Sequence, residues 1–348
     1  MLKWSQGTES RGQKYINGPS TPSPGTIPTE RFFMKCKKIK TLAAFLITIM
    51  LVMVFSSCGK AGNTTGSLVI GVAWRSDQTS ESYVSTCKAI EKAGGTVKVL
   101  DQVLSYDLSY ENNKLIEGKA KDGSLSQDAA KLVKNNTWQN SNAEKVMEGI
   151  NVIVFPGGED ISPSLYYHPQ EVETKEGFSA ERDVSDYLLM NYCLEKDIKI
   201  LAICRGMQML SVVSGAELIQ DIPEYYRKNG ADYGYEHRNE PKEPGGYRDF
   251  SFHDVNVTES DSILHELMGT DVIENVPSWH HQAVVSVEGT RLKVTGTTKI
   301  SGIEFIEAVE RADKTFVLGI QFHPEIAVVR DLDRTSITYF NKIVELAK

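Results

Sequence analysis

Residues 198–208 read IKILAICRGMQ, and this stretch decides how the chain is expected to fold. The apolar, β-branched part over 198–203 is typical of a buried strand, and a helix is predicted over 207–214. Cys204 stands at the junction between them. Small residues at 202 and 206 permit a tight strand-to-helix turn that lifts a side chain out of a sheet. We therefore expect the thiol of Cys204 to project from a sheet edge.

The segments on both sides of this stretch repeat the alternation of strands and helices. The other predicted strands are 67–73, 96–100, 150–155, 252–257, 283–287, 292–297, 303–310 and 315–322. The other predicted helices are 80–93, 126–133, 181–196 and 335–347. Apolar strands that alternate with helices predict the α/β class, with an open, doubly wound, mostly parallel, flavodoxin-like sheet that carries helices on both faces. Such sheets place their functional sites at the carboxyl ends of the strands.

The first part of the chain differs in composition from the rest. Residues 1–33 are rich in Ser, Thr, Pro and Gly and lack apolar periodicity, which is typical of disorder. Residues 34–57 combine several lysines with an apolar run that is shorter than the roughly 20 residues a membrane-spanning helix needs. This order is typical of a secretory signal that begins at Met34, so we interpret residues 1–33 as disordered or as a mis-assigned extension.

A cysteine follows the small residues at the end of this segment. The arrangement resembles a bacterial lipoprotein signal, which implies acylation of Cys58 and a short tether over 58–66. We expect a protein held by a lipid anchor on the extracytoplasmic side of a bacterial membrane, facing the periplasm or the cell surface. A retained N-terminal anchor helix is the alternative.

The main domain is predicted over 67–348, and its polar segment 101–145 reads as an insertion over the surface. Residues 221–250 read as a loop. The whole chain has 348 residues and a net charge of −8, and it shows no basic stripe, so we expect no nucleic-acid partner. A homodimer remains open.

Three cysteines follow Cys58, and an odd number leaves at least one free thiol. Cys87 and Cys193 lie in predicted helices and are expected to be buried, and a disulfide between them remains open. The cysteines and histidines lack metal-ligand spacings such as C-x-x-C or H-E-x-x-H. We therefore expect no metal and no organic cofactor.

Chemically versatile residues stand at three predicted strand ends: PGGED (156–160), CRG (204–206) and HPE (323–325). A thiol, an imidazole and a carboxylate are the parts of a nucleophile, a base and a group that orients the base. Pro324 is expected to keep His323 extended, so that Glu325 reaches the imidazole from the same side of the chain. The helix after Cys204 stabilises a thiolate, and its first amide, with the glycine turn at 157–158, offers oxyanion donors.

Four segments together resemble a known family: PGGEDISPSLY (156–166), LAICRGMQMLSVVSGAELIQDI (201–222), SWHHQAV (278–284) and GIQFHPE (319–325). They are similar to successive motifs of the gamma-glutamyl hydrolases, a class I glutamine amidotransferase-like group that includes gamma-glutamyl-gamma-aminobutyrate hydrolase. The resemblance covers about 66–348. It implies a cysteine hydrolase that cleaves a γ-glutamyl amide of a small amine or peptide through a thioester.

The resemblance also implies roles for individual residues. Cys204 is the expected nucleophile, His323 its general base and Glu325 the partner of the base, while the amides of Gly158 and Arg205 form the oxyanion hole. The residues expected to bind or shape the substrate site are Asp160, Tyr166, Gln208, His280 and His281. His253 is equally consistent with a scaffold role and with substrate contact, and His237 reads as a loop residue.

The sequence leaves two alternative functions open. The first is a glutaminase that passes ammonia to a partner synthase, against which the expected extracytoplasmic location argues. The second is a non-catalytic binding lipoprotein on the same scaffold, against which the intact set of Cys204, His323 and Glu325 argues.

Overall fold

The computed structural model describes residues 68–166, 168–170, 177–243 and 248–348, which belong to one compact unit, Thr65–Lys348. The predicted extension, signal segment and tether, including Cys58, lie outside these ranges. Over the described ranges, no helix combines the length and the apolar character that crossing a bilayer requires.

Strands supply the frame of the domain. They are β1 (Val69–Val72), β2 (Thr96–Val99), β3 (Tyr110–Glu111), β4 (Lys114–Leu115), β5 (Val152–Phe155), β6 (Lys199–Ile203), β7 (Glu217–Ile219), β8 (Ser251–Val257), β9 (Val272–Ser278), β10 (Ala283–Ser286), β11 (Lys293–Ile300), β12 (Ile303–Glu310) and β13 (Val317–Ile320). Nine of them form one sheet in the order β2-β1-β5-β6-β13-β12-β11-β8-β9. The first five strands of that order run parallel, and the last four continue the sheet as an antiparallel extension.

Helices cover both faces of this sheet. They are α1 (Glu81–Lys92), α2 (Gln127–Asn136), α3 (Ala143–Val146), α4 (Ala180–Glu195), α5 (Arg205–Val213), α6 (Ile222–Lys228), α7 (Ile263–Met268), α8 (Pro324–Arg330) and α9 (Ile337–Leu346), with 3-10 turns at Trp138–Asn140 and Pro163–Tyr166. Successive residues of β5 and β6 point alternately into two buried clusters. One cluster contains side chains of α2, α4 and α5, and the other contains side chains of α1, α8 and α9. The predicted doubly wound α/β class is confirmed.

Several elements differ from the sequence prediction. The predicted loop 221–250 begins with helix α6, in which Asp221 caps the N-terminus by accepting from the Glu224 amide. β7, β9 and α7 were not predicted, because their short apolar runs carry little periodicity. The segment 101–145 holds a small hairpin and α2, and α2 buries Ala129, Ala130 and Val133 in the core. Its description as an insertion stays a prediction.

The three described cysteines are all free, so the open disulfide between Cys87 and Cys193 does not form. Cys193 is fully buried as predicted, whereas Cys87 is only half-buried. Cys87 lies on a side of α1 that neighbouring elements cover only in part. The prediction that Cys87 is buried is therefore wrong.

Candidate active site

The turn between β6 and α5 holds Cys204 in a strained conformation. Its φ of 51° and ψ of −107° lie in a region that residues other than glycine rarely adopt. The Cys204 amide donates to the Ile320 carbonyl at 2.7 Å, and its carbonyl accepts from the Gln208 amide at 3.1 Å. A β-carbon at Gly206 would lie 2.3 Å from the Phe155 carbonyl oxygen, so only glycine permits this close approach of α5 to the sheet.

His323 follows the neighbouring strand β13 and is held by a carboxylate. Its Nδ1 lies 2.7 Å from Oε1 of Glu325, which also accepts a hydrogen bond of 2.7 Å from the Ser82 hydroxyl. The expected contact between His323 and Glu325 is therefore present, but its cause differs from the predicted one. Pro324 begins helix α8, and Glu325 lies in the first turn of that helix instead of an extended chain.

The thiol and the imidazole meet beside Gly157. A β-carbon on Gly157 would lie 3.0 Å from Cε1 of His323 and 3.5 Å from Cβ of Cys204, so both side chains approach one point. Burial on its own lowers the pKa of His323, but the charges of Glu325 and Cys204 raise it to about 10. Cys204 raises the pKa of His323 first through its charge and then through a hydrogen bond, whose geometry at Nε2 is not that of a conventional bond.

A pocket of about 230 Å³ opens over these side chains. It contains three predicted site residues, Cys204, His323 and Gly158. The other lining residues are Arg75, Ser80, Glu81, Ser82, Glu159, Phe250 and Trp279. A larger and more open depression of about 990 Å³ lies elsewhere, and no cysteine or histidine lines it. The smaller pocket is therefore the candidate active site.

An arginine supports the floor of this pocket from below. Gly158 has a φ of 153°, and a β-carbon there would lie 1.8 Å from Nη1 of Arg182. The fully buried Arg182 donates to Glu159 at 2.6 Å and to the carbonyls of Pro156 and Gly157 at 2.9 and 3.0 Å. These bonds fix the shape of the glycine turn.

Further ion pairs extend this support. Arg75 binds Glu159 at 2.9 Å, and Arg205 pairs beneath the sheet edge with Asp183 at 2.6 Å and with Asp186. Burial on its own raises the pKa of the Glu159 carboxyl, but the adjacent arginines hold it well below its usual range. Because its side chain is tied down, the Arg205 backbone amide stays at the first position of α5, where helix amides lack intrahelical acceptors.

The residues expected to bind substrate lie outside the pocket lining. His281 bridges two carboxylates, with Nε2 at 2.9 Å from Asp160 and Nδ1 at 3.1 Å from Asp221. Burial on its own lowers the pKa of His281, but these hydrogen bonds raise it. Gln208 donates to the Gln282 carbonyl at 3.1 Å.

Two more of these residues point into the interior. His280 turns its Nδ1 towards the Gln282 carbonyl at 2.9 Å, and Tyr166 is buried near the ring of His168. A role in substrate binding stays a prediction for all five residues.

Sequence reasoning missed most of the pocket wall. Glu159 lies within the segment 156–166 and Trp279 within 278–284, but the resemblance implies no role for either position. Three other lining residues belong to no motif: Arg75, Ser82 and Phe250. Arg75 precedes α1, Ser82 lies in α1 and Phe250 precedes β8, so only the packing of these elements brings them to the pocket.

The fold and this pocket define the class of the protein, an α/β domain of the class I glutamine amidotransferase-like type. Residues 129–325 match the model of the Peptidase C26 family. The chain belongs to that family, and membership supports a hydrolase.

Comparison with known proteins finds similar sequences and similar solved structures. Protein NtpR of Enterococcus hirae is 32% identical over 187 residues, which are 53% of this chain and 70% of NtpR. The gamma-glutamyl-gamma-aminobutyrate hydrolase PuuD of Escherichia coli strain K12 is 31% identical over 184 residues, 52% of this chain and 66% of that protein. The glutaminase domain of Trypanosoma brucei CTPS with bound acivicin is 16% identical, covers 80% of this chain and 93% of its own, and has a TM-score of 0.43.

Proposed function

We propose that this protein hydrolyses the γ-glutamyl amide bond of small γ-glutamyl amines or peptides, with Cys204 as the nucleophile. One observation carries the proposal: a strained cysteine lines a pocket beside a histidine whose imidazolium is stabilised by a carboxylate. Family membership, and a relative named as a gamma-glutamyl-gamma-aminobutyrate hydrolase, support a hydrolase or glutaminase of this general kind.

The chemistry follows from the positions of these groups. The thiolate of Cys204 attacks the amide carbonyl, and the carbonyl π electrons move to oxygen. The oxyanion lies near the amides of Gly158 and Arg205, which supply the expected donors. Collapse breaks the C–N bond as His323 gives its proton to the leaving amine, and a γ-glutamyl thioester remains. A water then loses a proton to His323, attacks the thioester and releases the acid and the free thiolate.

The pocket suits a small polar group with two charges. Its lining contains Arg75, Glu81 and Glu159, which offer both signs of charge to the ammonium and carboxylate of a γ-glutamyl group. Phe250 and Trp279 form an apolar wall along which a leaving amine can extend. A volume of about 230 Å³ excludes a large second substrate from the pocket itself.

The test is a comparison of the purified full-length protein with its Cys204→Ser variant. Substrates are γ-glutamyl amines, γ-linked peptides and glutamine, with released amine or ammonia as the readout. Cys87→Ser serves as the matched control, because Cys87 is a half-buried thiol outside the pocket. We expect cleavage of at least one γ-glutamyl amine or peptide, loss of cleavage only in Cys204→Ser, and a covalent γ-glutamyl adduct in quenched reactions.

Other outcomes reject the proposal. Cleavage of glutamine alone would identify a glutaminase. Failure to cleave any of the three substrate types would disprove the proposed hydrolase activity. Full activity in Cys204→Ser would disprove the role of Cys204 as the nucleophile.

We also propose, from the sequence argument alone, that the protein is lipid-anchored outside the cytoplasm through Cys58. Peptides with γ-glutamyl links, such as cell-wall fragments, then belong among the substrates to be tested. Mass spectrometry of the N-terminal peptide from the membrane fraction checks the anchor. An unmodified Cys58, or a protein that stays in the soluble fraction, would contradict it.

A further inference from the structure

Four buried side chains converge outside the lining of the candidate active site: His237, His253, His280 and Glu307, which we call the His3Glu cluster. His237 comes from the segment after α6, His253 from β8, His280 from the connection between β9 and β10, and Glu307 from β12. His237 and Glu307 are fully buried, and His253, the most accessible member, is 8% exposed. None of the four lines the candidate active site.

The cluster contains unsatisfied polar atoms. The atoms without a hydrogen-bond partner among the described residues are Nδ1 and Nε2 of His237, Nε2 of His253, Nε2 of His280, and both carboxylate oxygens of Glu307. Buried polar groups are nearly always paired, so this concentration at one point requires an explanation. Most of these atoms face one another across short gaps. Nε2 of His253 lies 3.4 Å from Oε2 of Glu307, and Nδ1 of His237 and Nε2 of His280 lie 3.6 and 3.7 Å from Oε1 of the same carboxylate.

In His253 and His280, the contact of Nδ1 shows which ring nitrogen carries the proton and which keeps the lone pair. Nδ1 of His253 lies 3.2 Å from the Glu236 carbonyl, and Nδ1 of His280 lies 2.9 Å from the Gln282 carbonyl. A carbonyl only accepts hydrogen bonds, so each Nδ1 carries the proton, and a neutral ring keeps its lone pair on Nε2. Both lone pairs then point at the carboxylate of Glu307, which is repulsive unless a positive charge lies between them.

A proton is the simplest positive charge, but it satisfies only part of the cluster. One imidazolium balances the single charge of Glu307 and leaves the other two rings facing it unpaired. A metal ion accepts a lone pair from each of the four side chains at once and leaves, within the cluster, the second nitrogen of His237 and the second oxygen of Glu307. Metal-ligating histidines commonly donate their other ring N–H to a backbone carbonyl, which is the arrangement of His253 and His280.

The distances also agree with a metal centre. Zinc bonds of about 2.0–2.2 Å in a tetrahedron place ligand atoms about 3.3–3.6 Å apart. The distances from the three histidine nitrogens to the nearer Glu307 oxygen, 3.4 to 3.7 Å, are close to this range. Ligand atoms of His237, His253 and Glu307 all lie within 4.8 Å of one another. We propose that the His3Glu cluster binds one divalent transition-metal ion, zinc foremost, with His280 as the fourth ligand.

Three nitrogens and one oxygen form a donor set typical of zinc, and a buried site with four protein ligands is typical of a structural ion. Such an ion fixes one wall of the active site. The carbonyl of His237 accepts from the Ser278 hydroxyl at 2.9 Å and from the His280 amide at 3.0 Å, on both sides of Trp279 in the pocket lining. The Gln321 amide, two residues before His323, donates to the Glu307 carbonyl at 2.8 Å.

The site could not be predicted from the sequence, because its ligands come from four separate elements and form no short spacing motif. The proposal does not depend on the proposed hydrolysis, and its test needs no substrate. Full-length protein is incubated with zinc, dialysed, and analysed for metal by mass spectrometry. A second sample is loaded with Co²⁺, whose visible spectrum reports tetrahedral coordination.

We expect about one zinc per chain, a zinc-dependent rise in melting temperature, and a tetrahedral Co²⁺ spectrum. His253→Ala and Glu307→Gln should lower the bound metal roughly tenfold or more, whereas His265→Ala, a partly exposed histidine beside Asp271, should leave it unchanged.

Several outcomes overturn the proposal. One is wild-type protein with neither bound zinc nor a zinc-dependent melting temperature, which would leave the cluster as a protonated histidine–glutamate group. Another is metal content that folded His253→Ala and Glu307→Gln proteins retain in full. Where both variants fail to fold, a wild-type Co²⁺ spectrum without tetrahedral bands has the same consequence.

Discussion

Replacing Glu325 by glutamine tests how the carboxylate acts on His323. Glutamine keeps the size of the side chain, and its oxygen can still accept from His323 Nδ1 and from the Ser82 hydroxyl, as Oε1 of Glu325 does at 2.7 Å in each case. The substitution removes only the negative charge. If the carboxylate stabilises the imidazolium, the neutral variant should lose activity without losing its fold.

The magnitude follows from the pKa of His323. An increase from the ordinary 6.5 to about 10 corresponds to about 5 kcal/mol of preference for the imidazolium, at about 1.36 kcal/mol for each pH unit. Glu325 is the larger of the two charges that raise it, ahead of Cys204. If Glu325 supplies about half, the variant loses about 2–3 kcal/mol, and kcat/KM should fall roughly 30- to 150-fold.

The pH dependence has a definite sign. A histidine with a raised pKa contributes stability that is fully present below about pH 6.5 and is lost as the pH rises towards about 10. In Glu325→Gln, the folded-state pKa of His323 moves back towards its ordinary value, so the contribution should be smaller and its loss, which still starts near pH 6.5, should be complete at lower pH. Unfolding midpoints and rates of Cys204 alkylation, each measured from pH 6 to about 10, report this change.

Two further variants serve as controls. Ser82→Ala removes a neutral donor to the same oxygen and should lower kcat/KM by less than about tenfold. Glu304→Gln removes an exposed carboxylate from β12 and should have no effect. If Glu325→Gln keeps kcat/KM within about twofold of wild type and leaves the pH profile unchanged, the carboxylate does not stabilise the imidazolium of His323. That result refutes the reasoning.

Three more substitutions test the supporting structure. Cys204→Gly should abolish activity yet raise the free energy of unfolding by about 1 kcal/mol, because glycine adopts a φ of 51° without strain. Calorimetry measures this change. If Cys204→Gly is no more stable than Cys204→Ala, the backbone at this position is not strained. Gly158→Ala should cost about 3 kcal/mol in urea unfolding, because its β-carbon would displace Arg182 from its partners, and an unchanged midpoint would contradict this. Arg182→Met should cost about 3–5 kcal/mol, because Glu159 keeps only its pair with Arg75 and the carbonyls of Pro156 and Gly157 lose their buried donor. Arg227→Met removes one partner of an exposed pair and should change the free energy of unfolding by less than about 1 kcal/mol; equal effects of the two variants would show that the buried pair contributes no more than the exposed one.

Features decided by neighbouring residues were predictable. The run of β-branched residues before Cys204 and the glycine after it specify a strand, a tight turn and a helix, and the structure has them in that order. His323 and Glu325 are close in sequence, so their contact followed even though the backbone between them was misjudged. Helix α6 was missed inside a polar stretch, although Asp221 and the following proline are ordinary helix-start signals.

Contacts between distant residues were not predictable from one sequence. Ser82 and Glu325 share a hydrogen bond across 243 positions, and Arg75 reaches Glu159 across 84. No local pattern marks such pairs, because each side chain taken alone is an ordinary polar residue on a helix or a loop.

The sequence by itself thus determined the α/β class and the placement of Cys204 and His323 at the ends of strands, since local periodicity and turn chemistry specify both, whereas the pairing of those two strands belongs to the tertiary structure. Only the tertiary structure decided the pocket wall, the buried arginine network and the His3Glu cluster. These arise where packing brings together elements from distant parts of the chain, and the energy that selects them belongs to burial and charge pairing in the assembled core.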